Sequence, residues 1–366
     1  MRLIKPNFKN SIVNVSATIA NFLGATNNLP KIRLIEKYLK RNYKNIVYLC
    51  LDGLGIYPIT QNLRKSSFLY KNIKKKITSV FPSTTTNATS SLQSALYPSQ
   101  HGMFGWSLYF EKLNRCVELY MGKDYYTGEK VDMSEINKIL DFTPYVNLAK
   151  SDYKINTVFP PYIKSSVNNY YYKKNDEMFE KINQICSEDG KQFIYAYNGE
   201  PDHTMHDYGV TSSEAKNIIN YLNDKVQQLM ENNKDTLLII TPDHGQTDIK
   251  EYIELYDDQD LLKTLKVPMY LEARAVSFQV KDGQEEKFLN VMKKYKKDLK
   301  IFKVSDLVNK NFFGPKSDKL YLLGDYIAVV KNDYKIVLMD KDATRFKGHH
   351  TGLTKREMIL PLIIIG

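Results

Sequence analysis

Residues 46–53 read Ile-Val-Tyr-Leu-Cys-Leu-Asp-Gly, an apolar run that stops at an acidic residue and a glycine. A short run without polar alternation is typical of a strand covered on both faces, as in parallel sheets. Residues 193–196 and 237–240 repeat the pattern, and between them the sequence predicts an amphipathic helix with a capping box from Thr211 to Glu214. Alternation of strands and helices favours an α/β fold, with a mostly parallel central sheet and helices on both of its faces.

The pattern changes near residue 262, where short alternating strands and a lysine-rich segment begin. We therefore predict a core made of residues 1–261 together with 336–366, and a small inserted α+β lobe made of residues 262–335. A chain of 366 residues is long for one compact core and short for three domains, which agrees with this division. The apolar residues 358–365 are expected to return to the core as its last strand.

The composition is that of an ordinary globular protein, with 43% hydrophobic and 25% charged residues, and it excludes disordered and collagen-like chains. The three cysteines are too few for a disulfide framework, and the N-terminal residues lack the apolar run of a signal peptide, so we expect a reducing, cytoplasmic location. The formal net charge of +11 is attributed to lysine-rich usage, and the sequence predicts no clear nucleic-acid or membrane partner and no particular oligomeric state.

Acidic and imidazole side chains follow the predicted strands and precede the last one. The candidates are Asp52, Asp202, His206, Asp243, His244 and His350. Because the carboxyl ends of parallel strands meet at one edge of a sheet, we expect these side chains to converge there. Three carboxylates and three imidazoles suit zinc or a similar divalent ion, and with one added hydroxyl they would suffice for two four-coordinate ions.

Residues 81–90, Phe-Pro-Ser-Thr-Thr-Thr-Asn-Ala-Thr-Ser, offer that hydroxyl. Four consecutive hydroxyl residues precede a predicted helix and could simply be helix caps. They also suit a nucleophile, because a helix N-terminus favours an alkoxide and a phosphate group. Coordination to a cation lowers the pKa of such a hydroxyl.

These motifs, taken in order from about residue 45 to 366, resemble the type I phosphodiesterase/nucleotide pyrophosphatase family of the alkaline phosphatase superfamily. The motifs are Asp52-Gly53, Phe81-Pro82-Ser83-Thr84-Thr85, Tyr97-Pro98-x-x-His101-Gly102, Pro201-Asp202-x-x-x-His206, Asp243-His244-Gly245 and His350-Thr351-Gly352. The resemblance implies an alkaline-phosphatase-like core. It also implies a hydrolase of phosphoric ester bonds that uses a threonine nucleophile on a small phosphodiester or nucleotide.

The same resemblance implies two divalent metal ions, zinc or alternatively manganese. One ion would be bound by Asp202, His206 and His350, and the other by Asp52, Thr85, Asp243 and His244. Thr85 would also be the nucleophile, with Thr84 and Thr86 as the alternative assignments. His349 is the alternative to His350. Asn87 is predicted to contact the substrate, although it comes one position earlier than the asparagine of nucleotide-cleaving relatives.

Two other classes of function were weighed against this one. A phosphomonoesterase or phosphomutase on the same metal frame is less favoured, because no arginine follows the nucleophile segment until Arg115 to hold a terminal phosphate. A basic nucleic-acid or membrane-binding module with a vestigial site is the second alternative. It is disfavoured because every expected metal ligand is present in the sequence.

Overall fold

Two seven-stranded sheets organise the chain, whose computed structural model describes residues 3–163 and 165–366. The α-helices are α1 (Ile12–Phe22), α2 (Arg33–Leu39), α3 (Ile56–Asn62), α4 (Phe68–Lys71), α5 (Thr85–Ser94), α6 (Pro98–His101), α7 (Ser134–Ile139), α8 (Asn175–Ser187), α9 (Asp202–Tyr208), α10 (Ser213–Asn232), α11 (Gln259–Leu262), α12 (Glu285–Met292), α13 (Val304–Asn309) and α14 (Lys355–Met358). The strands are β1 (Asn45–Leu51), β2 (Ile73–Thr78), β3 (Ser107–Phe110), β4 (Arg115–Glu118), β5 (Lys123–Asp124), β6 (Lys154–Phe159), β7 (Asn168–Tyr171), β8 (Gln192–Asn198), β9 (Thr236–Thr241), β10 (Thr247–Asp248), β11 (Glu251–Glu254), β12 (Tyr270–Glu272), β13 (Ala275–Phe278), β14 (Leu299–Lys303), β15 (Tyr326–Val330), β16 (Lys335–Leu338), β17 (Gly348–His349) and β18 (Ile359–Ile365).

The central sheet has the strand order β2-β18-β9-β1-β8-β6-β7 and is mixed rather than mostly parallel. Strand β1 pairs in parallel with β8 and β9, and β6 pairs in parallel with β7 and β8. Strand β18 is antiparallel to both β2 and β9. Only the four-residue helix α14 stands between the site loops and β18. A parallel crossover needs roughly a dozen residues, so the short connection makes β18 run back across the sheet.

Helices cover both faces of this sheet, as the sequence predicts. In β1 the side chains of Ile46, Tyr48 and Cys50 pack with α1 and α5, while the alternate residues pack with α3, α8 and α10. All seven residues of β1 are buried, which explains the unbroken apolar run in the sequence.

Helix α10 lies where an amphipathic helix is expected, but its cap is one residue later. Ser212 is the N-cap and accepts a hydrogen bond from Ala215 N at 3.0 Å. The hydroxyl of Thr211 donates to Asp248 instead, so the predicted capping box does not form. Within the described residues, no helix has the length and apolar character needed to cross a membrane.

The second sheet is antiparallel, with the order β14-β15-β13-β12-β3-β4-β5. Its first four strands come from the segment predicted as an inserted lobe, and the other three come from residues 107–124. The two parts join at one backbone bridge between Leu271 and Ser107. The division of the chain into a core and an inserted lobe stays a prediction, and the sheet itself extends beyond residues 262–335.

Candidate functional site

The carboxyl ends of β1, β8 and β9 lie side by side, because β1 is the central strand of the three. Leu51 pairs with Asn198 and Cys50 pairs with Thr241 in the parallel ladders. Asp52 directly follows β1, and the acidic residues that follow β8 and β9 lie at the same edge. A Cβ at Gly53, whose φ is +71°, would lie 3.0 Å from the Cβ of Asp202, so the turn after β1 requires glycine.

One cluster forms around the imidazole of His244. Its Nε2 lies 3.3 Å from Asp52 Oδ1, 3.3 Å from Asp243 Oδ2 and 3.1 Å from Thr85 Oγ1. Thr85 is the first residue of α5, and the two carboxylates and the imidazole are buried. The geometry therefore brings together all four residues that were expected to share one ion.

A second cluster forms around Asp202. Helix α9 places Asp202 and His206 four residues apart on one face, with His206 Nε2 3.2 Å from Asp202 Oδ2. His350 Nε2 lies 3.8 Å from Asp202 Oδ1 and 3.2 Å from His206 Nε2. The rings of His244 and His350 stack with centroids 3.7 Å apart, so the two clusters are in direct contact.

The second nitrogen of each imidazole faces a backbone carbonyl. Nδ1 lies 3.1 Å from Gly245 O in His244, 2.8 Å from Gly348 O in His206 and 3.1 Å from Ser83 O in His350. A carbonyl only accepts, so this network assigns the hydrogen of each neutral ring to Nδ1. In the neutral rings, Nε2 of His244 then turns a lone pair toward Asp52 and Asp243, and Nε2 of His206 and of His350 turn theirs toward Asp202.

The carboxylates supply matching unpaired oxygens. Asp52 Oδ1, Asp202 Oδ1 and Asp243 Oδ2 are buried and form no hydrogen bond with any described residue. A buried anionic oxygen without a partner is strongly unfavourable in a protein interior. Lone pairs of nitrogen and oxygen that converge without a proton between them are the donor set of a metal ion, and the backbone bonds that orient each imidazole are typical of metal ligands.

Among the residues that the structure describes, three sets of side chains have ligand atoms within 4.8 Å of one another, as a metal ion requires. They are Asp202, His206 and His350; Asp52, Asp202 and His244; and Glu272, His349 and His350. The first set is the one predicted for one ion, and the second joins Asp52 and His244, predicted for the other ion, to Asp202.

The charges in the site are strongly coupled. Burial, together with the nearby Asp243 and Asp202, raises the pKa of Asp52 well above its usual value, although the hydroxyl of Tyr197 donates to Asp52 Oδ2. Burial also acts to raise the pKa of Asp202, but the charge and hydrogen bond of His206 outweigh it and lower that pKa. Asp52 and the ring of His206 thus both tend to hold protons, since Asp202 raises the pKa of His206 although burial acts to lower it, and a bound cation would replace these protons.

The alternative assignments occupy different environments. The hydroxyl of Thr84 donates to Glu272, and Thr86 is wholly buried. His349 is engaged through Nδ1 with the backbone of His350. Asn87 is also wholly buried, and its Nδ2 donates to Pro82 O at 2.8 Å, which fixes the loop before α5. Its contact with substrate stays a prediction.

Among the residues that touch the site and were not predicted from the sequence, two form hydrogen bonds with its loops. Tyr197 lies inside the apolar run of β8, and Glu272 ends β12 in the second sheet. Neither carries a local motif. For Tyr197 the only available signal was a tyrosine hydroxyl in a buried strand next to a cluster of acidic residues. For Glu272 the sequence held no signal.

The chain matches the family described as type I phosphodiesterase/nucleotide pyrophosphatase over residues 48–353. It is 26% identical to human ectonucleotide pyrophosphatase/phosphodiesterase family member 1 over 225 residues, which are 58% of this chain and 24% of the relative. It is 28% identical to rat family member 7 over 155 residues, 37% of this chain and 34% of the relative. The chain thus spans only about a quarter to a third of the curated relatives it matches.

Solved structures share the fold. Murine ectonucleotide pyrophosphatase/phosphodiesterase 5 superposes with a TM-score of 0.67 at 18% identity and covers 88% of each chain. An inactive threonine-to-alanine variant of that murine protein, in complex with AMP, gives a TM-score of 0.66. Phosphonoacetate hydrolase from Sinorhizobium meliloti 1021, in complex with phosphonoformate, gives 0.64 at 14% identity and covers 87% of this chain and 89% of that one.

Proposed function

Because the chain belongs to the type I phosphodiesterase/nucleotide pyrophosphatase family, we propose that it is a metal-dependent hydrolase that cleaves phosphodiesters or nucleotide pyrophosphates. The observation that carries this proposal is the convergence of three imidazole Nε2 atoms on three unpaired carboxylate oxygens beside a threonine hydroxyl. Hydrogen bonding alone does not stabilise such a set of lone pairs, and divalent cations do.

The ligands divide into two sets that share the site. Asp202, His206 and His350 would hold one ion, and Asp52, Thr85, Asp243 and His244 would hold the other. When bound, the cations would supply electrostatic stabilisation of the phosphoryl oxygens and lower the pKa of the threonine hydroxyl. Zinc as the resident metal and the cytoplasm as the location stay predictions from the sequence.

Thr85 is the proposed nucleophile. Its Oγ1 would attack phosphorus in line with the departing oxygen, so that an Oγ1–P bond forms while the bond to the leaving alcohol or nucleotide breaks. Water would then cleave the phosphothreonine ester and release the phosphoryl product. Thr85 begins α5, and the partial positive charge at a helix N-terminus favours both the alkoxide and the phosphate oxygens.

The surrounding residues orient these groups. The backbone carbonyl of Ser83 holds the ring of His350, and the buried amide of Asn87 fixes the loop that leads into Thr85. Phosphoryl transfer depends on positioning and electrostatics more than on acid–base chemistry, so this rigid support suits the reaction. An inactive threonine-to-alanine form of a structural relative, with AMP bound, supports both the nucleophile and a small nucleotide substrate.

A phosphomonoesterase remains the second candidate, but the structure gives it little support. Arg115, the first arginine after the nucleophile segment, is paired with Glu129 at 2.7 Å on the second sheet. It is thus engaged on a surface pair rather than held ready for a terminal phosphate.

The decisive experiment removes metal by chelation, restores zinc or manganese, and compares hydrolysis of bis(4-nitrophenyl) phosphate with that of 4-nitrophenyl phosphate. We expect turnover that depends on metal and is faster with the diester. Faster turnover of the monoester would instead favour the second candidate. Metal-independent binding to nucleic acid or anionic vesicles that weakens steeply with salt, without turnover, would favour the vestigial module.

A further inference from the structure

The carboxylate of Glu272 connects the second sheet to two loops of the site. These are the nucleophile loop, residues 81–84 before Thr85, and the histidine loop, residues 350–354. Glu272 is 8% exposed and accepts hydrogen bonds from the hydroxyls of Thr84 and Thr351 and from Trp106 N, the last at 3.2 Å. Thr84 precedes the proposed nucleophile, and Thr351 follows the proposed ligand His350. A buried carboxylate is costly unless its oxygens are hydrogen-bonded, and here both oxygens are used.

The bond from Thr84 changes the start of α5. Thr84 occupies the N-cap position, where a threonine hydroxyl ordinarily accepts from a first-turn N–H group. Its side chain makes no capping hydrogen bond and is instead turned toward Glu272, to which the hydroxyl donates. Glu272 therefore keeps the Thr84 side chain away from the N-terminus of α5, where Thr85 lies. It also fixes the backbone on the N-terminal side of the nucleophile.

The bond from Thr351 secures a strained loop. Thr351 has a φ of +105°, a conformation that is unfavourable for a β-branched residue. Ser83 N donates to Thr351 O at 3.0 Å, so the histidine loop and the nucleophile loop are also joined through their backbones. Glu272 thus bonds to each side of this junction.

The same β12–β13 hairpin holds the histidine loop a second time. Arg274 is wholly buried and pairs with Glu357 through Nε and Oε1 at 2.6 Å. Glu357 accepts from Gly352 N at 2.7 Å and from Thr354 N at 3.0 Å. The β12–β13 hairpin therefore fixes the loop through two buried side chains, Glu272 at the end of β12 and Arg274 in the turn that follows.

We propose that Glu272 is a positioning residue for the phosphoryl-transfer reaction, which holds the Thr85 turn and the His350 loop at a fixed separation. The inference rests on the proposed function, since Glu272 would act only through Thr85 and His350 and would not contact the substrate. It predicts an effect on kcat that exceeds the effect on KM, because displacement of the nucleophile by even about 1 Å lowers the rate steeply while ground-state binding changes less.

The test compares Glu272→Ala, Glu272→Gln and wild type in their zinc-loaded forms with an aryl phosphodiester, together with zinc content and thermal unfolding. We expect Glu272→Ala to lower kcat by about 10–100-fold with a KM within about 3-fold of wild type and unchanged zinc content. Glu272→Gln fills the same space and retains one acceptor, so its kcat should lie between the two. Thr84→Val should lower kcat to a similar degree, and adding it to Glu272→Ala should have little further effect, because both remove the same bond.

Asp258→Asn is the matched control. Asp258 also lies in the second half of the chain and is bonded at 2.7 Å to the hydroxyl of Tyr295, away from the site. It should lower the melting temperature without changing the kcat of the folded enzyme. If wild type is active and folded Glu272→Ala has the same kcat, the positioning role alone is overturned. If the alanine variant does not fold, an unchanged kcat in both Glu272→Gln and Thr84→Val has the same meaning. A wild type without metal-dependent turnover overturns the proposed function and this inference with it.

Discussion

Replacement of Asp52 by asparagine should stabilise the metal-free chain and destabilise the zinc-loaded chain relative to wild type. The reason is the spacing of two carboxylates around one imidazole nitrogen. Asp52 Oδ1 and Asp243 Oδ2 are each 3.3 Å from His244 Nε2, so they are no more than about 6.6 Å apart. At an effective dielectric constant near 20, two unit charges at that separation repel by about 2.5 kcal/mol.

The metal-free wild type relieves part of this repulsion by taking up a proton, since burial, Asp243 and Asp202 raise the pKa of Asp52. We therefore expect Asp52→Asn to increase the free energy of unfolding of the metal-free chain by about 1–2 kcal/mol at pH 8, less than the full Coulomb energy. A raised pKa in the folded state means that the penalty grows as the pH rises and vanishes well below the ordinary value of about 4. The advantage of the variant should thus be larger at pH 8 than at pH 5.

Zinc should make wild type more stable than Asp52→Asn, the reverse of the order expected without metal. A ligand present at about 1,000 times its dissociation constant stabilises the folded state by about 4 kcal/mol. Asp52→Asn removes one ligand and should lose most of that gain. The measurement is thermal unfolding of both proteins after chelation and again with zinc, and each difference should amount to a few degrees in the melting temperature.

Asp333→Asn provides the control, because Asp333 is also buried with an unpaired oxygen but is paired with the Arg356 guanidinium at 3.3 Å. It should lower the melting temperature with and without zinc. If Asp52→Asn lowers the melting temperature of the chelated chain as well, the charge-repulsion argument is refuted.

Three further predictions concern single side chains. Thr85→Ala should lower kcat at least about 10³-fold while leaving zinc content nearly intact, and full activity measured with an aryl diester would disprove its role as nucleophile. Burial lowers the pKa of His101 to about 3, and its Nδ1 accepts from Met103 N, so the folded state resists protonation; in denaturant titrations wild type should lose stability as the pH falls from about 6.5 toward 3, more steeply than His101→Asn. Tyr197→Phe removes the hydroxyl that donates to Asp52 and should weaken zinc binding by about 10–100-fold in a chelator competition, whereas unchanged affinity would show that this bond is dispensable.

The sequence was most informative where polar side chains directly follow a predicted strand. The apolar run of β1 and the acidic residue after it predicted a buried strand with acidic and imidazole side chains clustered at its carboxyl edge, and the described structure has both. Periodicity located α10, although the cap moved by one residue because Thr211 bonds to a distant aspartate. Strand direction was beyond local reasoning: β18 is antiparallel because of a short connection, and the sheet is mixed for that reason.

On its own, the sequence determined the apolar strands, the motifs and, through the motifs, the family. Each strand and each motif is a short segment whose residues are close together in the chain. The tertiary structure alone decided which groups support them. Thr84 meets Glu272 across 188 positions, and Tyr197 meets Asp52 across 145. Contacts this remote leave no periodicity or spacing in the sequence, since the Tyr197–Asp52 contact exists only after β1 and β8 have paired, and the Thr84–Glu272 contact only after the second sheet has packed against the site.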